Sequence, residues 1–173
     1  MKIINTKIKD LVIIQNNLFK DKRGYFKELL RENLIKQKFP FKVMSFSKKN
    51  VIRGLHLQTK DSQGKYVSVI KGSIFDVVVD LRKNSRSFGK KFTIILSENN
   101  NKSLYIPPGF AHGFCSLENE NYVVYSCSKY RNKKSEIGIN YNDKDLNIKW
   151  PTKKPILSKN DLNNNSLKNF LSK

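Results

Sequence analysis

The chain has 173 residues, and 34 Lys and Arg against 14 Asp and Glu give it a formal net charge of +20 at pH 7. This length predicts one domain over residues 1–173. The charge favours an anionic ligand. The sequence has neither a basic helix nor an arginine-rich arm, and this argues against nucleic acid as the main partner. The N-terminus lacks a signal-peptide pattern, and no apolar run approaches the ~20 residues of a membrane span. We therefore expect a cytoplasmic protein that binds no membrane.

Short strand-like runs dominate the chain. In order, β-branched and aromatic residues cluster at 11–14, 66–70, 74–81, 92–96, 103–106 and 122–126. The run at 74–81 is continuous enough to be buried on both faces, and turn residues such as Pro107-Pro108-Gly109 separate the runs. Helical patterns cover 26–38 and 159–172. Many short strands predict an all-β sandwich or barrel with short peripheral helices.

The two cysteines, Cys115 and Cys127, form no CxxC motif and match no metal-ligand spacing. We expect both to be reduced, buried thiols.

Both histidines of the chain lie in glycine-containing motifs, His56 in RGLH at 53–56 and His112 in IPPGFAHGF at 106–114. Histidine takes and returns protons near neutral pH. With Arg53 before it and Lys65 after it, His56 predicts a proton-transfer site for an anionic substrate. A core histidine bonded to backbone carbonyls explains the segment equally well. Because alternate side chains line a barrel interior, His56, Lys65 and Tyr125 are expected to converge in one cavity.

Motifs from about residue 3 to residue 168 resemble the dTDP-4-dehydrorhamnose 3,5-epimerase family in order and spacing. They include DKRGYFKE (21–28), VIRGLHLQ (51–58), QGKYV (63–67), LYIPPGFAHGF (104–114), SEIGINYND (135–143) and LSKND (157–161). The resemblance implies a double-stranded β-helix, the cupin jelly roll, and a homodimer that exchanges N-terminal strands. It also implies a nucleotide-diphosphate 4-keto sugar as substrate, with no metal and no other cofactor. A metal-binding cupin needs clustered histidines and a carboxylate, which the residues after His56 do not supply.

The resemblance further implies the residue roles. His56 is the base, Asp161 orients its imidazole, Lys65 stabilises the enolate oxygen, and Tyr125 returns a proton on the opposite face. Other positions match residues that hold the substrate, with Phe26 expected to reach the nucleobase from the partner subunit: Arg23, Phe26, Glu28, Arg53, His112 and Tyr130. Arginine suits this role because its forked donors fit diphosphate oxygens.

Each assignment has a structural alternative. The alternative for Tyr125 is a packing tyrosine of the barrel core, and the alternative for Lys65 is a solvent-facing strand lysine. For Asp161 it is a helix cap, and for Arg23 a turn residue.

Departures from the family pattern leave the substrate open. Where the family typically carries Gln-Asp-Asn-His, this chain has FKVM at 41–44, and Asn160 replaces the lysine usual before Asp161. A site that lacks hydrogen-bonding partners loses the ligand that used them. The leading interpretation is epimerisation at carbon 3, carbon 5 or both of a nucleotide-diphosphate-linked 4-keto-6-deoxy sugar, such as dTDP-4-keto-6-deoxyglucose, for surface-polysaccharide biosynthesis. The alternatives are a GDP-linked sugar such as a 6-deoxy-4-keto-heptose, and a non-catalytic cupin that binds sugar or nucleic acid.

Overall fold

The computed structural model describes residues 1–172, which form thirteen strands and three short helices. The strands are β1 (Lys2–Asn5), β2 (Val12–Gln15), β3 (Leu18–Asp21), β4 (Gly24–Lys27), β5 (Phe41–Ser47), β6 (Ile52–Gln58), β7 (Lys65–Lys71), β8 (Ser73–Asp80), β9 (Lys91–Ser97), β10 (Lys102–Ile106), β11 (Phe110–Ser116), β12 (Asn121–Cys127) and β13 (Glu136–Gly138). The helices are α1 (Glu32–Ile35), α2 (Lys159–Leu162) and α3 (Leu167–Leu171).

The strands form two large antiparallel sheets and a separate hairpin. The six-stranded sheet has the order β1-β2-β10-β7-β12-β5, and the five-stranded sheet has the order β13-β6-β11-β8-β9. Strands β3 and β4 pair only with each other. This arrangement is the predicted cupin jelly roll, and every strand run predicted from the sequence overlaps a strand.

The main core lies between the two large sheets. Val67 and Leu104 of the six-stranded sheet pack in one buried cluster with Val78 and Phe114 of the five-stranded sheet. Alternate residues of each strand point to this interior. The same alternation turns Lys65, Tyr125 and His112 inward, so the fold itself brings polar groups of distant segments together at one end of the core.

A second cluster covers the outer face of the five-stranded sheet. Leu55 and Val77 pack there with Ile148 and Leu167 from the C-terminal part of the chain. Asp143 fixes this part, because its carboxylate accepts hydrogen bonds from the backbone N–H groups of Leu146 (3.0 Å) and Leu167 (2.8 Å). The C-terminal segment is thereby held across the edge of the sheet that carries β13 and β6.

The helix predicted over 26–38 is largely wrong. Residues 24–27 form β4, and only Glu32–Ile35 is helical. Pairing of β4 with β3 keeps this part extended. The apolar residues that imitate a helix face, among them Leu30 and Leu34, instead pack around Phe39 on the outer face of the six-stranded sheet.

In place of the single helical segment predicted over 159–172, the structure has two short helices, α2 and α3, with a break between them. Both cysteines are buried and unpaired, as predicted. Within residues 1–172, no helix has the length and apolar character needed to cross a membrane.

Candidate functional site

A cavity of about 930 Å³ opens between the two sheets at one end of the core. Six of the ten residues assigned from the sequence line it: Arg53, His56, Lys65, His112, Tyr125 and Asp161. His56 and His112 come from the five-stranded sheet, whereas Lys65 and Tyr125 come from the six-stranded sheet. The cavity therefore has a histidine wall facing a lysine and tyrosine wall.

A bulge in β6 brings both Arg53 and His56 to the cavity. Between the pairs His112↔His56 and Phe114↔Arg53, β6 spans three residues where β11 spans two. The extra residue shifts the alternation by one, so an odd-numbered and an even-numbered side chain share one face.

Glycine is required where the two strands meet at this bulge. A Cβ on Gly54 would lie 2.6 Å from the Cα of Gly113, and Gly54 has a φ of +113°. A Cβ on Gly113 would lie 2.6 Å from the carbonyl oxygen of Arg53. Neither position has room for a side chain, so the glycine of RGLH serves the geometry of its histidine.

His56 forms a hydrogen-bonded pair with Asp161. Its Nε2 lies 2.6 Å from Oδ1 of Asp161, although 105 residues separate them in the chain. Ser158 Oγ donates to Oδ2 of Asp161 (2.8 Å) and accepts from its backbone N–H (3.1 Å). The Asp161 side chain is 6% exposed and that of His56 is 34% exposed. The imidazole of His56 faces the cavity, and its carboxylate partner lies behind it.

Opposing influences set the charge of Asp161. Burial raises the pKa of its carboxyl, but hydrogen bonding and attraction to His56, with donors from Ser158 and the Gly54 backbone N–H, lower the pKa below its ordinary value. The carboxylate is thus ionised at neutral pH, where its hydrogen bond fixes the orientation of the His56 imidazole.

Tyr125 faces the cavity from β12. Its hydroxyl lies 3.3 Å from Ser45 Oγ of β5, and its ring packs edge-on to His112 at 6.2 Å between ring centroids. Burial raises the pKa of the phenol well above its ordinary value, against the weaker opposing effect of Ser45. At neutral pH Tyr125 therefore carries the proton that an acid must donate.

Lys65 begins β7 and pairs in register with Cys127 of β12. Burial lowers the pKa of its ammonium group, while Cys127, Glu136 and Asp76 act in the opposite direction. A partly desolvated cation interacts strongly with an oxyanion that forms beside it.

His112 has its own buried carboxylate partner, Asp76. Nε2 of His112 lies 2.8 Å from Oδ2 of Asp76, and the two side chains are 4% and 0% exposed. The sequence reasoning missed Asp76. Its signal is an acidic residue inside the buried apolar run of β8, because a buried carboxylate needs a partner.

Glu136 and Arg131 also line the cavity and were not assigned from the sequence. Arg131 Nε and Nη2 donate to the Glu136 carboxylate at 2.6 and 2.9 Å. This pair, with further attraction from His56 and Lys65, lowers the pKa of Glu136 against the effect of burial. Glu136 stands in the SEIG motif, so the motif marked the segment but not the role of this residue.

Four assigned residues lie outside the cavity wall. Arg23 pairs with Asp21 in the β3–β4 hairpin, and Glu28 bonds to Asn17 and Arg31. Phe26, 68% exposed, lies on the same hairpin. Tyr130 is 67% exposed and packs against Phe41, whose side chain lines the cavity, with 5.6 Å between ring centroids.

The unusual FKVM stretch lies in β5 and contributes Phe41 and Val43 to the cavity wall, next to Ser45. Two of the predicted polar-to-apolar replacements therefore face the cavity. Within the described residues 1–172, no cluster of three or more His, Cys, Asp or Glu side chains is arranged to hold a metal ion.

Comparison with known proteins places this site in a family. Residues 5–169 match the family model described as dTDP-4-dehydrorhamnose 3,5-epimerase. The chain is 42% identical over 170 residues to the dTDP-4-dehydrorhamnose 3,5-epimerase of Shigella flexneri, with 94% of each chain covered.

Solved structures agree with this match. A dTDP-6-deoxy-D-glucose-3,5-epimerase from Legionella pneumophila, in complex with dTDP-4-keto-L-rhamnose, has a TM-score of 0.93 and 40% identity, covering 96% of this chain and 93% of its own. A 3'-monoepimerase from Streptomyces bikiniensis, in complex with dTDP-quinovose, has a TM-score of 0.89 and 28% identity, with 96% and 89% covered. The chain belongs to the dTDP-4-dehydrorhamnose 3,5-epimerase family of isomerases.

Proposed function

We propose that this chain epimerises a dTDP-linked 4-keto-6-deoxy sugar at carbon 3, carbon 5 or both. The observation that carries the proposal is the His56–Asp161 pair across the cavity from Tyr125 and Lys65. A base and an acid on opposite walls suit inversion at a carbon held between them. The Legionella relative, bound to dTDP-4-keto-L-rhamnose, supports the choice of ligand.

The chemistry follows from the carbonyl group. The 4-keto group acidifies the hydrogen on a neighbouring carbon, and His56 removes that proton. The electron pair of the C–H bond moves into an enolate, whose oxygen the Lys65 ammonium stabilises. Tyr125 then gives its phenolic proton to the same carbon from the other face. Proton exchange with solvent returns His56 to its neutral form and Tyr125 to its phenol.

The diphosphate is assigned to cationic groups of the cavity. Arg53 Nε donates to Ser47 Oγ and its Nη2 to the Phe46 carbonyl, both at 2.9 Å, which fixes the guanidinium plane. A guanidinium held in place binds phosphate oxygens with little loss of conformational entropy. We assign His112, which Asp76 holds, to a contact with the sugar.

The remaining substrate residues fit a homodimer. The β3–β4 hairpin joins neither large sheet, and it exposes Phe19 and Phe26 at 58% and 68%. We assign this hairpin, with Arg23, to the cavity of a second copy, where Phe26 would pack against the nucleobase. Strand β1 pairs with β2 of its own chain, and the exchange of N-terminal strands stays a prediction.

The GDP-linked alternative is not favoured, because the matched family and the relatives reported above carry dTDP in their names. The Streptomyces relative is a 3'-monoepimerase, so inversion at one carbon stays within the proposal. A binding protein without catalysis has no need for a base, its carboxylate partner, a cation and an acid in one cavity.

Deuterium incorporation from solvent tests the proposal. The protein is incubated in D₂O with dTDP-, GDP- and CDP-linked 4-keto-6-deoxy sugars, with and without a metal chelator, and exchange is followed at each carbon by NMR. We expect exchange and inversion with the dTDP sugar and full activity with the chelator present. Exchange with the GDP sugar alone, or with none of the three, would overturn the proposal.

A further inference from the structure

The C-terminal segment that carries Asp161 crosses β13 next to His56. Strand β13 pairs with β6 so that Gly138 lies opposite His56. One residue further along, Ile139 forms a parallel bridge with Asn165, and the backbone N–H of Asn140 donates to the Asn165 carbonyl at 2.8 Å. Asn164 therefore lies directly over Gly138.

The contact between Asn164 and Gly138 leaves no space. A Cβ built on Gly138 would overlap the Cγ, Oδ1 and Nδ2 atoms of Asn164 at once. The φ of Gly138 lies outside the left-handed region, so the backbone does not require glycine here. Glycine is required by the Asn164 carboxamide, which occupies the volume of the missing side chain.

Packing rather than hydrogen bonding holds this carboxamide. Nδ2 of Asn164 is buried and has no hydrogen-bond partner among residues 1–172. Asn164 and Gly138 both line the cavity, together with Asp161 three residues earlier in the chain. Asn164 therefore belongs to the same short segment as the Asp161 carboxylate, which lies 2.6 Å from His56.

We propose that Gly138 and Asn164 are positioning residues: the Asn164 carboxamide, seated on Gly138, fixes the segment that holds Asp161 against His56. The inference deepens the proposed function, and its effect on turnover rests on that function. A catalytic group misplaced by about 1 Å can cost about 10²-fold in rate, so loss of the contact between Asn164 and Gly138 should lower the rate measurably.

The test compares Gly138→Ala, Asn164→Ala and the double variant. Each single change should lower kcat for inversion of the dTDP-4-keto-6-deoxy sugar by about 10-fold to 10²-fold with little change in KM, since neither residue is assigned to substrate binding. The double variant should be no worse than either single one, because both changes remove the same contact. Additive losses in the double variant would contradict the inference.

The Asp161→Asn background gives a sharper control. If the seat acts through Asp161, Gly138→Ala should lower kcat no further once that carboxylate is gone. A further loss there of the same size as in the wild-type background would mean that the contact acts by another route, and the inference would be wrong.

A readout without substrate separates this inference from the proposed function. The imidazole N–H proton that His56 shares with Asp161 should give a far-downfield NMR signal, and Asn164→Ala should broaden or shift it at unchanged thermal stability. An unchanged signal and kcat in Asn164→Ala would overturn the inference, even if Gly138→Ala fails to fold. Wild-type protein that keeps the signal but does not turn over the dTDP sugar would refute the proposed function alone.

Discussion

Each of the two histidines of the chain is held by an aspartate, but in different surroundings. His56 is about one-third exposed to the cavity, whereas His112 and Asp76 are almost fully buried. A group that must collect a proton from substrate and release it to solvent needs such access, and His112 lacks it. This difference favours His56 as the base and His112 as a fixed contact for the sugar.

Replacement of His56 by Asn should abolish exchange of the hydrogen next to the keto group. We expect a loss of at least about 10²–10⁴-fold, the usual contribution of general base catalysis. The measurement is deuterium wash-in on the dTDP sugar, with thermal unfolding to show that the variant is folded. Near-normal exchange in a folded His56→Asn protein would refute the assignment.

Replacement of Tyr125 by Phe should separate exchange from inversion. His56, Asp161 and Lys65 remain, so the proton still leaves, but it then tends to return from the side it left. Inverted product should therefore fall much more than deuterium wash-in, both measured on one sample. A packing tyrosine would instead cost roughly 1 kcal/mol of stability for the hydrogen bond with Ser45 and change both signals in parallel.

Among the strands, apolar patterning predicted β2, β7 through β10 and β12. The runs that became these strands are rich in β-branched and aromatic residues. Strand β11 escaped prediction because it contains Ala111 and Gly113, which have low strand propensity. Gly113 is required there by the close approach to β6. Pairing of β3 with β4 kept residues 24–27 extended, so only Glu32–Ile35 of the helix predicted over 26–38 is helical.

Part of the site was predictable from the strand pattern. Strand alternation alone brings Lys65, Tyr125 and His112 to one interior. Asp161 lies 105 residues from His56, and only the family resemblance indicated that pairing. Asp76 was detectable from its apolar neighbours, whereas the contact of Arg131 with Glu136 depends on a loop path that no local pattern encodes.

The end of β8 contains a network that should govern acid stability. Asp80 is fully buried and accepts hydrogen bonds from Arg82, Ser85 and Ser87. Burial alone would raise the pKa of this carboxyl, but these three donors hold the pKa far below its ordinary value of 3.8. A carboxyl whose pKa is lowered by folding stabilises the fold at pH values above its pKa in the unfolded chain. That stabilisation is lost as the pH falls towards and through its pKa in the folded protein.

Asp80→Asn should therefore lose about 3–5 kcal/mol of unfolding free energy at neutral pH, the usual effect of removing one partner of a buried charge pair. The difference from wild type should narrow as the pH falls below 3.8. Urea unfolding at several pH values measures it. Asp10→Asn, at the exposed carboxylate that also pairs with Arg82, serves as the control and should change little. If the difference in unfolding free energy between Asp80→Asn and wild type did not change with pH, ionised Asp80 would not be its cause.

The separate β3–β4 hairpin bears on how the whole molecule assembles. Its exposed aromatic residues and Arg23 stand outside the cavity of their own chain. In the proposed two-fold dimer each subunit would offer the same hairpin to the other, so both cavities would be completed together. A net charge of +20 also favours the approach of an anionic nucleotide sugar.

Mixing two inactive variants should test this exchange. His56→Asn lacks the base, and Arg23→Ala lacks a hairpin contact. In a mixed dimer, the chain with intact His56 receives the hairpin with intact Arg23, which gives one working site. Random mixing should recover about one quarter of wild-type activity, because half of the dimers carry one working site of two. No recovery despite verified mixed dimers would show that each hairpin serves its own chain.

The long separation between His56 and Asp161 has a consequence for heat inactivation. The His56–Asp161 pair is complete only while α2 and α3, of four and five residues, stay docked. Helices so short do not persist alone. Leu167 packs in the outer cluster and its backbone N–H donates to Asp143, which helps to anchor this segment. Local opening costs less free energy than global unfolding, so on warming the enzyme should stop working while its two sheets remain intact, and cooling should restore turnover without refolding of the chain.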